Sequence, residues 1–569
     1  MDQSTQPSPP SAKPVLSQSS ELPPFLQFIP KLYLPLVLIT AACFAWRPLS
    51  GGEDFWAHIA IGRWIVEHGA IPRSTLFLWT AHQQWVAAAW LAELIFYYLM
   101  VLGGERGGPF LALGLTVVCV VLPYYWFWRR WTQRERVNSL VPMLFVLSIW
   151  CSSPRFHARP EIFTTVCLAL LYGFLLDWKD KPKFPWAGAA GMVVMFGLWT
   201  NLHGAVAFGA VVIAISAVCD FVQFGRRAWP LAVTALLCIA AIVIFNPRHL
   251  AYLQVLKPIS SFTFNHIDEW KPFYAWPAMD ASLVVAEGIL ALVALGLWTR
   301  SENKRWATLG WWLLMVVFFF KARRNLWLTA LTSLIVIVDN AKYLDTDQLF
   351  HGWRKLSATL TGESPDEGIP NGLRGVMRIA TTAILLVAVA QAIPSDFLPF
   401  RAVSLTLPVN MSNFVLNHTS GKLFNDYEYS AYHEWNFHDR RPLYIDLNNA
   451  YPDSLMEEYF TILGSRKARP GLLAKEGFQV IALRPRNKSE SDAGIRAFVK
   501  YLKVTPAWKK VYDDTDGTVW VLTARVPNST PPNPAPPNSA PANSAPAKTA
   551  SAPAPKAKLP ILKTAGAPA

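Results

Sequence analysis

Charge is scarce in this chain. Asp, Glu, Lys and Arg make up 16% of the residues against 52% hydrophobic ones, whereas a soluble domain carries about 25% charged residues. That deficit excludes an ordinary soluble protein and points to a polytopic membrane protein. Cysteine is sparse too: Cys43, Cys119, Cys151, Cys167, Cys219 and Cys238 all lie in or beside apolar runs, without CxxC spacing. Such a set builds neither a zinc cage nor a disulfide framework. No small-residue cleavage site follows the first apolar run, so that run is expected to remain as an anchor. No internal repeat is visible, which counts against transporters built from duplicated halves. Acids are outnumbered, giving a net charge of +14. The excess positives sit in short loops between apolar runs, as membrane orientation requires, so nucleic acid is not an expected partner.

What is present is a series of apolar segments, at 29–47, 86–103, 109–128, 137–152, 161–177, 186–202, 203–223, 229–245, 283–298, 306–320, 325–339 and 374–394, each near the length a bilayer demands. The basic loops Arg129 to Arg136, Lys179 to Lys183, Arg226-Arg227, Arg300 to Arg305 and 340–374 fall on one side, taken as cytoplasmic. The loops at 153–160, around Asn201 to His203, at 246–282, at Lys321 to Arg324 and everything after 394 fall on the other. A full crossing by 86–103 would put the 48–85 loop on the basic side. Glu93 interrupts that segment, and reading it as interfacial or re-entrant makes the 48–85 loop external and leaves about 11 spans.

The expected fold is thus a polytopic α-helical membrane protein with a C-terminal periplasmic α/β domain. A disordered cytoplasmic tail (1–28) precedes the transmembrane domain (29–394) with its first external loop (48–85). The α/β domain (395–526) and a disordered Pro/Ala-rich tail (527–569) follow. In the α/β domain PLYIDL and FQVIALR read as strands, SLMEEYFTILGSRK as a helix, and DDTDGTVWVLTARV as a hairpin with Asp-Gly in its turn.

The candidate chemistry gathers in the external loops. Glu53-Asp54 opens a short amphipathic helix ended by Gly69. A carboxylate there serves either as a base for an acceptor hydroxyl or as a helix cap. His58, four residues after Asp54, shares its helical face and would suit a metal or a hydrogen-bond relay. SPRFHARPEIF supplies Arg155, His157, Arg159 and Glu161, and TNLHG supplies Asn201 and His203. FNPRH supplies Asn246, Arg248 and His249, and FNHIDEWKPF supplies His266, Asp268, Glu269 and Lys271. Lys321, Arg323 and Arg324 break the positive-inside bias. They fit either a phosphate, which guanidinium forks match bidentately, or lipid headgroups reached by snorkelling.

EDFWAHIAIGRWIVEHGAIPRSTLF, then RPEIF, NLHG, NPR, DEW and ARRN in this order resemble a group of bacterial membrane proteins similar to the GT-C class of glycosyltransferases. That class includes protein O-mannosyltransferases, aminoarabinose transferases and the catalytic subunit of oligosaccharyltransferase. The resemblance spans residues 30–525. It implies a bacterial inner-membrane glycosyltransferase that takes a polyprenyl-phosphate-linked sugar from the lipid and passes it to an acceptor of unknown identity on the periplasmic face, with a cytoplasmic amino terminus. The first-loop acid of the class maps onto Asp54 or Glu53, with a divalent metal at Asp54 and His58 as one option. The second-loop acid maps only onto Glu161, where Arg159-Pro160 precede it and the expected aspartate is missing. Arg323 and Arg324 would suit the lipid phosphate. Two other classes stay open: a transporter or flippase of a lipid-linked or anionic substrate, and a noncatalytic membrane assembly protein.

Overall fold

The computed structural model of the protein describes residues 22–256, 267–275, 279–344, 371–393, 401–485 and 493–523. His266, most of the amino-terminal tail and the 527–569 tail lie outside these residues.

The helical body comprises α1 (Pro24–Phe28), α2 (Pro30–Ala45), α3 (Phe55–His68), α4 (Trp90–Thr132), α5 (Leu140–Ser152), α6 (Glu161–Asp177), α7 (Trp186–Leu202), α8 (Val206–Phe224), α9 (Trp229–Ile244), α10 (Ala281–Arg300), α11 (Trp306–Lys321), α12 (Leu326–Asp339) and α13 (Asn371–Ala392). Among the described residues, five helical stretches are long and apolar enough to cross a membrane, and four shorter apolar helices accompany them. Every residue of α12 from Leu326 to Val338 is buried, so this helix runs through the centre of the bundle. Its all-round apolar sequence suits that position and no surface one.

Side-chain contacts fix which helix ends lie together. At one end Arg130 reaches Asp177, Arg134 reaches Asp339, and Arg305 donates to the carbonyls of Leu175 and Leu176. At the other, Arg155 binds Glu161 and Glu269, and Trp90 Nε1 donates to Asn201 Oδ1 at 2.7 Å. Helix α4 therefore starts beside Asn201 and finishes beside Asp177, which is one net traverse despite its 43 residues. The extra length is taken up by a sharp break at Gly104, whose backbone is left-handed at φ 63°. A Cβ at Gly108 would stand 2.7 Å from the Cα of Met100, far closer than eight residues of straight helix permit. The chain folds back on itself there, and glycine supplies both the dihedral and the room.

One expectation fails at the start of the chain. Residues 24–28 form the helical turn α1, not tail, because Pro24 opens a helix and Leu26 is buried against α13, where Arg378 donates to its carbonyl at 2.8 Å.

The C-terminal α/β region contains α14 (Val409–His418), β1 (Leu423–Asn425), α15 (Ser430–Phe437), α16 (Asp453–Gly464), α17 (Arg469–Glu476), β2 (Val480–Leu483), α18 (Ala493–Val504), β3 (Trp508–Asp514) and β4 (Gly517–Leu522). The sheet order is β1-β2-β4-β3, with β1 parallel to β2 and the other pairs antiparallel. The β3–β4 hairpin turns at Thr515-Asp516, one residue earlier than the expected Asp-Gly, because Gly517 already pairs with Asp514 as the first residue of β4. PLYIDL is not a strand. Its Leu443 forms one isolated bridge to Leu78 of the first loop, and its polar backbone is otherwise served by side chains, Asn425 Oδ1 accepting from Tyr444 N at 2.8 Å.

That bridge belongs to a wider fusion. Leu78 and Ala81 share an apolar core with the sheet, and Leu49, Phe55 and Trp56 share another with Ala402, Leu407, Ala431 and Tyr432. Thr80 Oγ1 donates to Tyr444 O at 2.6 Å, and a second bridge pairs Leu49 with Val403. The first loop and the C-terminal region form one unit at the Arg155–Glu161 end of the bundle.

Candidate active site

Five chain segments meet beneath that unit. Helix α3 begins at Phe55 with Asp54 in the N-cap position, yet the Asp54 side chain makes no capping hydrogen bond. Its carboxylate turns instead to Arg159, with Oδ2 3.4 Å from Nη1, and its side chain is 36% exposed. Helix-cap chemistry does not account for this residue. Glu53 is the more enclosed neighbour, at 16% side-chain exposure, with Oε2 3.2 Å from His157 Nδ1 and 3.8 Å from Arg159 Nη2. Arg47 contacts the other face of the same imidazole, 3.3 Å from Nε2. Burial alone would raise the Glu53 carboxyl, but His157, Arg159 and Arg47 outweigh it and hold it at about 2. Arg159 is shifted the opposite way. Burial pulls the guanidinium down, and the Asp54 carboxylate more than restores it.

A second ionic chain adjoins the first. Arg155 donates through Nε to Glu161 at 2.8 Å and through Nη1 to Glu269 at 2.7 Å. Glu269 also accepts from Arg324 Nη1 at 2.9 Å, and the Arg324 guanidinium stacks 4.0 Å over the Trp270 ring. Burial opposes ionisation of Glu269, but Arg324 and Arg155 hold it below the ordinary carboxylate range. Glu161, the mapped second-loop acid, is buried at 7% exposure and fully engaged by Arg155, so it is not presented to a substrate.

The other candidates divide sharply. His203 Nδ1 lies 2.9 Å from Thr164 Oγ1. Burial drives its pKa down to about 4 against the pull of Glu161, so the ring stays neutral near pH 7. Asn201 is spent on structure, donating to the carbonyls of Gly197 and Phe245 at 2.8 and 3.1 Å. Asn246 likewise donates to Thr200 O at 3.1 Å. Arg248 follows the Asn246 turn, donating its backbone N–H to Asn246 Oδ1 at 2.9 Å, while the exposed His249 ring lies 3.3 Å from Val243 O. Asp268 pairs with Lys271 at 2.7 Å. Arg323 donates to the carbonyls of Pro272 and Ala275 at 3.4 and 3.0 Å and thereby anchors the 271–275 loop. Lys321 is exposed at the rim of an apolar groove of about 710 Å³ lined by Pro272, Tyr274, Val316, Val317 and Phe320.

His58 shares a helix with Asp54, but its ring faces Glu93, Nδ1 to Oε1 at 3.3 Å. Among the described residues, the group whose ligand atoms lie within metal-binding reach is Glu67, His438 and Asp439, at the far end of α3. Among the described residues, Asp54 and His58 belong to no such group of three.

Several participants carried no local sequence signal. Arg47 acts across 110 residues. Glu434, on α15, is 1% exposed, and neither carboxylate oxygen has a hydrogen-bond partner among the described residues. Burial raises its pKa well above the ordinary value, and the nearby charges of Asp446, Asp54 and Glu93 add to the rise. The C-terminal region thus places near Asp54 a buried acid whose ionisation is opposed.

No protein-family model and no curated protein matches the sequence. Solved structures do match the fold. The archaeal oligosaccharyltransferase AglB from Archaeoglobus fulgidus, in complex with an inhibitory peptide and a dolichol-phosphate, superposes with a TM-score of 0.56 at 11% identity, over 87% of this chain and 75% of that one. The Archaeoglobus fulgidus oligosaccharyltransferase tethered to an acceptor peptide gives a TM-score of 0.50 at 12% identity, over 80% and 70%. ArnT from Cupriavidus metallidurans bound to undecaprenyl phosphate gives 0.47 at 14% identity, over 87% and 97%. The chain has the fold of the GT-C class of integral-membrane glycosyltransferases.

Proposed function

We propose that this protein transfers a sugar from a polyprenyl-phosphate-linked donor to an acceptor at the end of the bundle where Asp54 lies, and that this end is periplasmic. The observation carrying the reading is the placement of Asp54, a partly exposed carboxylate whose side chain makes no capping hydrogen bond, beside Arg159 and next to the Arg155–Glu269–Arg324 ionic chain. The loops with an excess of positive charge lie at the opposite end, which the positive-inside rule assigns to the cytoplasm. The groove rimmed by Lys321 gives an apolar chain a path to that ammonium. The AglB structure holds a dolichol-phosphate, a lipid of that type.

In the proposed reaction the acceptor hydroxyl gives its proton to Asp54 as its oxygen bonds to the anomeric carbon. The bond from that carbon to the phosphate oxygen breaks, and the phosphate departs with the electron pair from the opposite face, so configuration inverts. Lys321 and Arg324 stabilise the developing phosphate charge, the kind of preorganised electrostatics that contributes most in a water-poor site. Glu53 and His157 position Arg159, which in turn orients Asp54. His58 is engaged by Glu93.

The test is Asp54→Asn in purified full-length protein supplied with polyprenyl-phosphate sugars. Transfer is expected to fall by about 10²-fold or more, the usual contribution of a positioned base, with the melting temperature unchanged. Undiminished transfer refutes the role of Asp54. Cysteines placed at positions 54 and 226 are expected to label from opposite sides of the membrane, and labelling from one side refutes the topology.

A further inference from the structure

Two cations of the candidate site already hold an anion, and it comes from the chain itself. The turn at Asp268–Trp270, between α9 and α10, carries Glu269, whose side chain is 36% exposed. Arg155 Nη1 meets its Oε2 at 2.7 Å, and Arg324 Nη1 meets its Oε1 at 2.9 Å. Guanidiniums from two distant loops, one before α6 and one between α11 and α12, thus converge on a single carboxylate. Such forks bind carboxylate and phosphate oxygens with the same geometry.

Neutralisation does not require this convergence. Arg155 is also served through Nε by the buried Glu161 at 2.8 Å, and it stays paired without Glu269. Arg324 differs, because its ion-pair partner among the described residues is Glu269. The adjacent arginine treats the same loop in another way. Arg323 donates its backbone N–H to Lys271 O at 2.9 Å and its side chain to the carbonyls of Pro272 and Ala275. The loop backbone is therefore held independently of the Glu269 side chain, and the carboxylate can leave Arg324 without releasing the loop. Pro272 and Tyr274 of that loop also line the apolar groove rimmed by Lys321.

We propose that Glu269 occupies the place of the donor phosphate on Arg155 and Arg324, and that the lipid phosphate binds by displacing it. This rests on the reading of Arg324 as a phosphate ligand. Two anions on one guanidinium repel each other, so the chain's own carboxylate competes with the donor. The apparent affinity falls in proportion to the population of the self-occupied state. Glu269 thereby sets donor affinity and takes no part in the bond-making step.

The test measures binding of undecaprenyl phosphate to full-length protein in detergent by native mass spectrometry, with melting temperatures read with and without the lipid. Wild type is compared with Glu269→Gln, Arg324→Gln and Asp268→Asn. The last removes an equal charge from the same turn, where Asp268 pairs with Lys271 and not with Arg324. Glu269→Gln is expected to bind the lipid about five-fold more tightly than wild type, and Asp268→Asn to bind like wild type. A role confined to folding would lower melting in Glu269→Gln without tightening lipid binding, and that result overturns the proposal. Equal tightening in Asp268→Asn also overturns it. Arg324→Gln is expected to bind more weakly than wild type. If it does not, the phosphate reading of Arg324 fails and the proposal with it. Weaker binding in Arg324→Gln with no gain in Glu269→Gln overturns the displacement alone.

Discussion

Replacing Glu53 by glutamine removes the acid that ties the first loop to the 153–160 turn and leaves Asp54 in place. Burial opposes the Glu53 charge, yet His157, Arg159 and Arg47 hold the carboxyl at about 2 instead of the ordinary 4.5. That difference corresponds to about 3 kcal/mol of folding stability. The sign follows from linkage. A carboxyl held low in the folded state stabilises it at pH values above 4.5, and the benefit drains away as pH falls towards 2. Melting of wild type and Glu53→Gln in detergent is therefore expected to differ most at neutral pH, by about 2–3 kcal/mol after screening is allowed for. The gap should shrink to less than half by about pH 3. A gap that is flat or widens on acidification would refute the ion-pair account of Glu53, as would identical melting at pH 7.

Three other substitutions probe the surrounding structure. Gly62→Val should destabilise the protein by about 1–3 kcal/mol or prevent folding, because a Cβ there would stand 2.3 Å from the Glu93 carbonyl; expression and melting temperature report it. Glu434→Gln should raise the melting temperature, and the gain should grow as pH rises above 4.5, since the wild-type acid is kept neutral by burial while its unfolded counterpart ionises. Arg324→Gln should lower sugar transfer by about 10²-fold with a smaller effect on folding, and transfer equal to wild type would remove Arg324 from the phosphate site.

The periodic and terminal signals of the chain were local, and they were readable. Runs of apolar residues define the helices, Gly69 ends α3 in a left-handed C-cap at φ 61°, and the DDTDG stretch marks the last hairpin, whose turn falls at Thr515-Asp516. Each depends on neighbours within a few positions. PLYIDL misled because its composition suits a strand, while among the described residues it makes one isolated bridge, to Leu78. The ordered short motifs marked the loops at Arg155, Glu269 and Arg324 as belonging together, but not which charge would satisfy which.

Tertiary packing decided the division of labour within the site. Glu53 and Asp54 are adjacent acids that sequence treats alike. The fold buries one between His157 and Arg159 and leaves the other exposed at a single ionic contact. It likewise ties Arg323 to loop carbonyls while Arg324 stacks on Trp270 beside Glu269. Glu434 enters the site from a region hundreds of positions away because α15 packs on α3, with Trp56 and Tyr432 edge to face at 5.2 Å. Hydrophobic periodicity is a property of neighbouring residues and survives in the sequence. Electrostatic pairing depends on distance in space, and only the folded chain sets that.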